Sequence, residues 1–292
     1  MEILRHVGGS RWAILLAAAT SLVFASTAAA QQPPQTCPPA TISGSPGADV
    51  LIGTALADNI DALAGDDLVN GVQGNDCIAG GDGFDEVGGG AGQDLLLGQG
   101  GPDDLSGGSD NDTVVGGEGF DFASGGLGDD TVSGDAAPDD ITGGRGADVL
   151  SGGDGVDFLE GGLGEDRMDG GTARDEMTGG KDADRMSGDD GNDDLDGGDG
   201  DDTLSGGEGN DHLSGGSGAD QLRAGPGRDR IAIGGNAGNR VSAGSGNDVV
   251  DAANGAATRV NCGRGRRDIV RADAFDPLRG CENIRRLRPA SS

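Results

Sequence analysis

The residues of this 292-residue chain that could do chemistry are aspartates at a fixed interval. Counting in steps of nine from Gly44, the sixth residue of every unit is Asp for 21 units, from Asp49 to Asp229. Carboxylates are hard oxygen ligands, and Ca²⁺ accepts roughly six to eight such oxygens in flexible geometry. Magnesium needs a stricter octahedron and keeps its waters, so it is the weaker candidate. The spacing therefore predicts many calcium sites in succession.

Three other positions of the nine-residue unit keep the same phase. Position one is Gly in 19 of the 21 units, position four is Gly in 16, and position eight is aliphatic or Met in 20. The low aromatic content and the formal net charge of -31 would otherwise indicate intrinsic disorder. Because a disordered acidic tail does not hold four positions in phase over 21 units, we reject disorder for the calcium-loaded chain.

Each unit divides into a turn and a strand. The Gly-Gly-x-Gly-x-Asp half predicts a turn, because glycine tolerates positive φ and lets other backbone approach closely. The x-U-x half, where U is the apolar residue, predicts a very short strand with one inward side chain. Two units then make one flattened coil with a strand on each face. The sequence predicts an all-β fold, a parallel β-roll (a β-solenoid) of about ten two-unit coils.

Such a coil has too little apolar surface to fold alone. Ordering one two-unit coil costs on the order of 27 kcal/mol of conformational entropy. Its two inward aliphatic side chains return about 4 to 6 kcal/mol, and stacked position-six carboxylates repel one another at about 5 Å. We therefore expect folding to be coupled to the binding of a cation.

The unit G-G-x-G-x-D-x-U-x resembles the repeat of the RTX, or haemolysin-type, calcium-binding family. It stands as GGAGQDLLL at 89–97, as GGRGADVLS at 143–151 and as GGEGNDHLS at 206–214. The resemblance covers roughly residues 44–251 and implies a right-handed parallel β-roll in which each Ca²⁺ lies between the turns of units n and n+2. Position-six aspartates and turn carbonyls would coordinate the ion.

Carried over by position, the resemblance implies sixteen metal-ligating aspartates, those whose unit keeps Gly at position four. They are Asp49, Asp67, Asp76, Asp85, Asp94, Asp103, Asp121, Asp130, Asp148, Asp157, Asp166, Asp193, Asp202, Asp211, Asp220 and Asp229. Five units lack that glycine and are expected to bind more weakly. They carry Asp58, Asp112, Asp139, Asp175 and Asp184. After Ala232 the phase slips by one residue, and two weaker units follow with Asn239 and Asp248 at the Asp position.

The two ends of the chain differ from the array. Residues 1–30 combine early arginines with the apolar run Trp12 to Phe24 and end in three alanines, which is typical of a secretory signal peptide cleaved before Gln31. A retained N-terminal anchor is the alternative, although the run is short for a membrane span. Residues 31–43 form a stub or cap, 44–251 the calcium-binding roll, and 252–292 an Arg-rich C-terminal cap.

Four cysteines lie as one pair near each end of the array. In an oxidising compartment an even number favours disulfides, so we expect Cys37–Cys77 and Cys262–Cys281, each fastening one end. A metal site is the rival interpretation, but no second Cys or His stands at zinc spacing around any of them. The sequence alone leaves other pairings open.

Charge is distributed unevenly along the chain. Residues 31–258 hold 46 acidic and 9 basic residues, a net charge of -37, whereas residues 259–292 hold 9 Arg and 4 acids, a net charge of +5. A surface this acidic repels nucleic acid and anionic lipid and attracts cations. The Arg-rich tail could contact an acidic partner, but solvated charges are the simpler interpretation.

The sequence contains no zinc-protease, nucleophile-elbow or P-loop motif. The window nearest to an EF-hand, 192–203, ends in Thr203 instead of Glu. His212 is the one His after residue 30, and it falls at position seven of its unit, where an exposed strand face is expected. Paired carboxylates such as Asp103-Asp104 could serve a glycosidase, but no aromatic platform exists to hold a sugar.

We therefore expect an exported protein, secreted or at the cell surface, that binds several Ca²⁺ ions, has a structural or interaction role and is not an enzyme. It would have no membrane span once the signal is cleaved. A calcium-dependent adhesin for a cell-surface or matrix component is the alternative, and a polysaccharide-acting or modulatory module is less favoured. An adhesin could use a small apolar scatter of Phe84, Phe120, Phe122 and Phe158, although packing at the surface or edge is the simpler interpretation.

Overall fold

The structure, a computed structural model, describes residues 41–235, 238–265 and 267–287. The expected signal peptide with its cleavage site before Gln31, most of the stub 31–43, and Cys37 lie outside the described residues. Within the described residues no helix is long and apolar enough to cross a membrane.

The described chain alternates between two parallel β-sheets of 14 strands each. Odd-numbered strands form one sheet, the odd sheet, and even-numbered strands form the other, the even sheet. Because the chain passes from one sheet to the other after each strand, the fold is a parallel β-solenoid, which confirms the predicted fold class. The strands are β1 (Ile42–Ser43), β2 (Val50–Ile52), β3 (Asn59–Asp61), β4 (Leu68–Gln73), β5 (Cys77–Asp82), β6 (Glu86–Ala91), β7 (Leu95–Gly100), β8 (Asp104–Ser109), β9 (Thr113–Glu118), β10 (Phe122–Leu127), β11 (Thr131–Ala136), β12 (Asp140–Arg145), β13 (Val149–Asp154), β14 (Phe158–Leu163), β15 (Arg167–Thr172), β16 (Glu176–Lys181), β17 (Arg185–Asp190), β18 (Asp194–Asp199), β19 (Thr203–Ser205), β20 (His212–Ser214), β21 (Gln221–Gly227), β22 (Arg230–Ala232), β23 (Arg240–Gly246), β24 (Val249–Ala252), β25 (Arg259–Asn261), β26 (Ile269–Asp273), β27 (Leu278–Arg279) and β28 (Asn283–Leu287).

Each strand pairs in parallel with the strand two places along the chain, and up to β22 the register is two nine-residue units. In the even sheet Phe122 lies beside Asp140, which lies beside Phe158. The two-unit coil is therefore observed as predicted. Each sheet has 14 strands where about ten coils were expected, because segments beyond the regular array, including β25 to β28, join the same two sheets.

The strands are longer than the sequence predicts. Most have six residues, which are positions seven to nine of one unit and positions one to three of the next. In β10, Ala123 and Gly125 face the interior while Phe122 and Leu127 are exposed. Assigning the Gly-Gly pair to the turn was therefore wrong for these coils. Both glycines extend the strand, since a residue without a side chain still takes part in the backbone ladder.

The interior is built from one apolar residue per unit. Every position-eight side chain from Ile60 to Ile231 is at most 3 % exposed, and together they form one continuous core. Burying a Val, Leu or Ile side chain stabilises a fold by about 1.5 to 3 kcal/mol. With a single such residue per strand, packing alone gives each coil limited stability.

Beyond residue 251 the coil continues without the repeat sequence. Strand β26 pairs with β24, and β28 pairs with β26. Val260 and Val270 are fully buried and extend the same core. The polypeptide therefore keeps the solenoid geometry after the nine-residue pattern has ended.

One predicted disulfide lies in this terminal part. Cys262 and Cys281 are bonded across a sequence separation of 19 residues, which confirms that pairing. Cys77 is also disulfide-bonded, whereas Cys37, the partner predicted for it, lies outside the described residues.

Candidate metal centres

Each position-six aspartate stands directly before a strand, and the aspartates therefore form two rows along the roll. The odd row precedes strands of the odd sheet, and the even row precedes strands of the even sheet. The odd row contains Asp58, Asp76, Asp94, Asp112, Asp130, Asp148, Asp166, Asp184, Asp202 and Asp220. The even row contains Asp49, Asp67, Asp85, Asp103, Asp121, Asp139, Asp157, Asp175, Asp193, Asp211 and Asp229.

One oxygen of each carboxylate ties successive coils together. The backbone N–H of Asp121 donates to Oδ1 of Asp139, and the N–H of Asp139 donates to Oδ1 of Asp157, each at 2.9 Å. Equivalent bonds run through both rows, as from Asp76 to Oδ1 of Asp94 at 2.8 Å. Each aspartate thus holds the turn one coil before it, and this fixes the direction of its second oxygen.

That second oxygen, Oδ2, has no hydrogen-bond partner within the described coils at any position-six aspartate from Asp67 to Asp229. These side chains are at most 3 % exposed. Leaving a buried polar atom unpaired costs about 1 to 3 kcal/mol, and more when the group is charged. The arrangement therefore requires a positive charge or a proton at each turn.

Position one is glycine because oxygens occupy the space beside it. A Cβ on Gly161 would lie 2.5 Å from Oδ2 of Asp166 and 2.6 Å from the carbonyl oxygen of Gly179. The aspartate belongs to the same unit, whereas the carbonyl belongs to the next coil. Any side chain there would collide with both, so the glycine lets a carboxylate and a carbonyl oxygen converge.

Position four brings in further oxygens. Gly92 has a φ of 126°, and a Cβ built on it would overlap the carbonyl oxygen of Gly74, one coil earlier. A Cβ on Gly227 would overlap the carbonyl oxygen of Gly209 and would also lie 2.9 Å from Oδ1 of Asp229. The position-four carbonyl therefore points along the roll toward the next turn, and at Gly227 the carbonyl of Gly209 lies on the same side as Oδ1 of Asp229.

Four of the five units without glycine at position four keep a left-handed residue there. Four of the replacing residues have φ between 76° and 83°, a conformation that costs a non-glycine residue about 1 to 2 kcal/mol. They are Asp110, Ala137, Ala173 and Asp182. The aspartates of these units are buried with an unpartnered Oδ2 like the others, namely Asp112, Asp139, Asp175 and Asp184. Weaker binding by these units stays a prediction, since the carboxylate environment is the same.

Burial makes these carboxyls hard to ionise in the absence of a cation. Desolvation is the main cause that raises the pKa of Asp103 to about 7, and the charges of Asp121 and Asp85 add to it, against a backbone hydrogen bond that lowers it. Desolvation likewise raises the pKa to about 7 at five further positions. These are Asp112, Asp139, Asp184, Asp193 and Asp229. A divalent cation beside the row would hold such groups in the charged form.

The donor set fits calcium. Among the described residues no group of three or more His, Cys, Asp or Glu side chains is spaced to hold a metal. Each centre would therefore combine carboxylates with backbone carbonyls, which is a hard, all-oxygen set. Calcium takes such mixed ligands in irregular geometry, whereas zinc prefers nitrogen and sulfur.

The first aspartate of each row differs from the rest. Asp49 and Asp58 are only half-buried. Oδ2 of Asp49 accepts hydrogen bonds from the backbone N–H and the hydroxyl of Ser45, and Thr54 does the same for Asp58. Fifteen of the sixteen predicted ligands thus share the buried arrangement, and Asp49 does not. The assignment of individual ligands stays a prediction.

Two aspartates outside the predicted set share the buried arrangement. Asp248 and Asp268 are fully buried, and each has an Oδ2 without a hydrogen-bond partner in the described chain. They follow Asp229 at intervals of 19 and 20 residues, so a strict count in nines does not select them. The available signal was Gly246, which stands two residues before Asp248 as position four stands before position six.

The other residues singled out in the sequence lie on the surface. His212 is half-exposed on the even sheet, with Nδ1 2.9 Å from Oδ1 of Asp194. The rings of Phe120 and Phe122 meet edge to face with centroids 4.9 Å apart. Phe84 and Phe158 are similarly exposed.

Comparison with known proteins supports the interpretation of the repeats. The model of the RTX calcium-binding nonapeptide repeat, which spans four copies, matches residues 43–76, 71–105, 106–139, 133–168, 160–195, 169–204, 196–231 and 233–256. A comparison with curated protein sequences gave no match. Among solved structures, the chain is similar to a hyperactive, Ca²⁺-dependent, beta-helical antifreeze protein from an Antarctic bacterium. The sequence identity is 19 %, the match covers 73 % of this chain and 84 % of that chain, and the TM-score is 0.46. Since the repeat model matches more than half of the sequence, the chain belongs to the RTX calcium-binding nonapeptide repeat family, and the ions that its repeats bind are calcium.

Proposed function

We propose that this protein is an exported calcium-binding β-roll with a structural or interaction role, that its folding is coupled to Ca²⁺ binding, and that it catalyses no reaction itself. The observation that carries the proposal is the pair of buried carboxylate rows. Nineteen aspartates from Asp67 to Asp229 each hold one oxygen without a hydrogen-bond partner within the described coils. Two rows of buried like charges cannot coexist at neutral pH without a compensating cation.

In this proposal each ion lies between the turns of consecutive coils in one row. Two successive position-six carboxylates supply negative charge, and the carbonyls at positions one and four of the adjoining turns supply neutral oxygens. The ligands are the fifteen predicted aspartates from Asp67 to Asp229. Asp112, Asp139, Asp175 and Asp184 join them, since replacement of the position-four glycine strains the turn but leaves the carboxylate in place.

Export follows from the compartment that such a fold requires. A roll that folds only with calcium gains from an environment where that ion is abundant, and sites in extracellular modules need only millimolar affinity. The Cys262–Cys281 disulfide is consistent with an oxidising compartment. Together with the signal-like segment 1–30, these features favour a secreted or cell-surface protein.

Calcium-coupled folding is tested by far-UV circular dichroism of the chelator-treated chain during calcium titration. We expect a cooperative gain of β-signal with calcium and little change at the same concentration of magnesium, because the sites mix carbonyls and carboxylates in irregular geometry. A chelated chain that is already rich in β-structure and does not respond to calcium would refute the proposal.

The role of the buried carboxylates is tested by a pair of adjacent substitutions. Asp103 is fully buried in the even row, whereas its neighbour Asp104 is exposed on the outer face. Asp103→Asn removes one charged ligand, which corresponds to about 1.5 to 3 kcal/mol, or roughly a ten- to hundredfold weaker local site. We expect Asp103→Asn to lower the number of bound ions measured by equilibrium dialysis, and Asp104→Asn to leave it unchanged.

A calcium-dependent adhesin is the second candidate, favoured by exposed aromatic residues. Phe120, Phe122 and Phe158 are each close to half-exposed, and exposed aromatic side chains are common at interaction surfaces. Under this alternative the exported protein stays on the cell or matrix when calcium is present and is released by a chelator. Monomeric protein found only in the medium under both conditions would rule it out.

A further inference from the structure

We propose that Asp248 and Asp268, with Glu282 closing the row, form a further calcium site at the C-terminal end of the even row, where the row passes beyond the last nonapeptide repeat. The inference rests on the proposed function of the position-six aspartates and extends it from Asp248, in the last weak repeat, to two residues that the repeat does not select. Asp268 and Glu282 lie in the Arg-rich segment after the last matched residue, 256.

The backbone places these three residues where position six belongs. Asp248, Asp268 and Glu282 each stand directly before a strand of the even sheet, namely β24, β26 and β28. The inter-coil bonds of the repeats continue through them. The N–H of Ile269 donates to the carbonyl of Asp248 at 2.8 Å, and the N–H of Asn283 donates to that of Asp268 at 3.0 Å.

Their carboxylates also repeat the side-chain pattern of the array. The N–H of Asp229 donates to Oδ1 of Asp248, and the N–H of Asp248 donates to Oδ1 of Asp268, both at 3.1 Å. The N–H of Asp268 then donates to Oε2 of Glu282 at 3.2 Å. Glu282 takes the place of an aspartate here, and its longer side chain spans a last coil of only 14 residues.

The second oxygens point to a ligand. Oδ2 of Asp248 and Oδ2 of Asp268 are buried and have no hydrogen-bond partner in the described chain, and both side chains are fully inaccessible to solvent. Glycine again leaves room for backbone oxygens. A Cβ on Gly265 would overlap the carbonyl oxygen of Gly246 and Oδ1 of Asp268. Carboxylate and carbonyl oxygens therefore converge as they do inside the repeats.

Among the described residues, no arginine of this segment forms an ion pair with these carboxylates. Within residues 41–235, 238–265 and 267–287, the ion pairs are His212 with Asp194 and Arg271 with Asp251. Neither pair includes a member of the proposed site. The buried negative charge at the end of the roll thus has no cationic side chain against it in the described chain, and a bound divalent cation would supply the missing charge.

The odd row ends differently and serves as an internal comparison. Its last three places are taken by Asn239, Thr258 and Asp276, which are all buried. Both oxygens of Asp276 accept hydrogen bonds, one from the N–H of Thr258 at 2.9 Å and one from the N–H of Asp273 at 2.6 Å. Two neutral residues and a carboxylate with both oxygens hydrogen-bonded leave no unpartnered carboxylate oxygen for a cation among these three residues, so calcium is expected on one edge only of the final coils.

The test counts calcium ions per chain in the calcium-saturated protein by elemental analysis after dialysis, for three Asp→Asn variants. We expect Asp268→Asn to hold fewer ions than the parent and to lose calcium-dependent protection from hydrogen exchange in β26 and β28. Asp276→Asn, the control in the odd row of the same coils, should keep the parental ion count. Asp157→Asn, in the middle of the repeats, should also hold fewer ions.

The outcomes separate this inference from the proposed function. If Asp157→Asn loses calcium and Asp268→Asn does not, the terminal site is refuted and the function of the repeats stands. If neither variant loses calcium, both proposals fail. Equal losses in Asp268→Asn and Asp276→Asn would assign the effect to disruption of the terminal coils and overturn the site. Glu282→Gln, which keeps the shape of the side chain, should raise the calcium concentration needed to protect β26 by about tenfold, and an unchanged concentration would also count against the site.

Discussion

Acidification should replace calcium in part, by protonating the buried rows. In the folded chain desolvation raises the pKa of Asp103 from 3.8 to about 7, and five other aspartates reach the same value. Such a group destabilises the metal-free roll once the pH exceeds the unfolded pKa, and the full penalty applies above the folded pKa. The metal-free roll is therefore most stable in acid, and it loses stability as the pH rises from about 4 to about 7.

The magnitude follows from the size of the shifts. A shift of about three pH units corresponds to about 4 kcal/mol for one carboxyl. Neighbours in a row are coupled, so the penalties of the six aspartates with a pKa near 7 do not simply add. A few such penalties are enough to offset the stability of an ordinary domain, about 5 to 15 kcal/mol.

The assay is far-UV circular dichroism of the metal-free chain at about pH 5 and about pH 8, which lie on either side of most of the raised pKa values. Both conditions avoid the sequence pI of about 4.1, where solubility is lowest. We expect more β-signal at the lower pH, and we expect calcium to restore the signal at the higher pH. Calcium affinity should fall on acidification through pH 7, because protons compete for the same oxygens. A metal-free chain with equal or greater β-content at the higher pH would refute the electrostatic reasoning.

Three further substitutions, two of them with a matched control variant, probe the coil itself. Gly161→Ala should weaken calcium-dependent folding, since the new Cβ would meet the aspartate Oδ2 at 2.5 Å, whereas Gly88→Ala, where a Cβ would meet nothing within 4 Å, should be tolerated in the same titration. Leu159→Ala should lower the free energy of unfolding by about 2 to 5 kcal/mol, measured by urea unfolding of the calcium-saturated protein. Leu163→Ala, at a side chain that is 39 % exposed, should lower it by less than about 1 kcal/mol. Equal losses would contradict the assigned core. Cys281→Ser should destabilise the last coils by about 2 to 4 kcal/mol, seen as faster hydrogen exchange there and unchanged exchange in the central coils.

Much of the fold can be predicted from the sequence because the repeat couples local and long-range order. A strict interval of nine residues places every position-eight side chain in the core and every position-six aspartate at a turn, as observed for Leu159 and Asp157. The parallel β-solenoid, its two-unit coil and the Cys262–Cys281 pair were all predicted. The length of the strands was not, because glycine has a low strand propensity and nothing local indicates that Gly-Gly continues a ladder.

The sequence predicts the type of site, but it does not predict which aspartates at the two ends of the rows belong to it. A count in steps of nine does not select Asp268, because it follows Asp248 by 20 residues. Its backbone nevertheless keeps the register of the sheet. Asp49, in contrast, is among the predicted ligands because its unit matches the repeat. Asp49 has the right motif, but it lies in the first described coil, where Ser45 donates two hydrogen bonds to its carboxylate.

The sequence by itself determined that this chain winds into calcium-binding coils, because side-chain chemistry repeated every nine residues leaves few other ways to bury one apolar residue per unit and to pair so many aspartates. Only the tertiary structure decided which carboxylates are buried with an unpartnered oxygen, where each row ends, and that Asp248 and Asp268 continue the even row while Asp276 closes the odd one. Those properties depend on which backbone groups of the neighbouring coil reach each oxygen, and coil-to-coil distances are set by stacking and not by spacing along the chain.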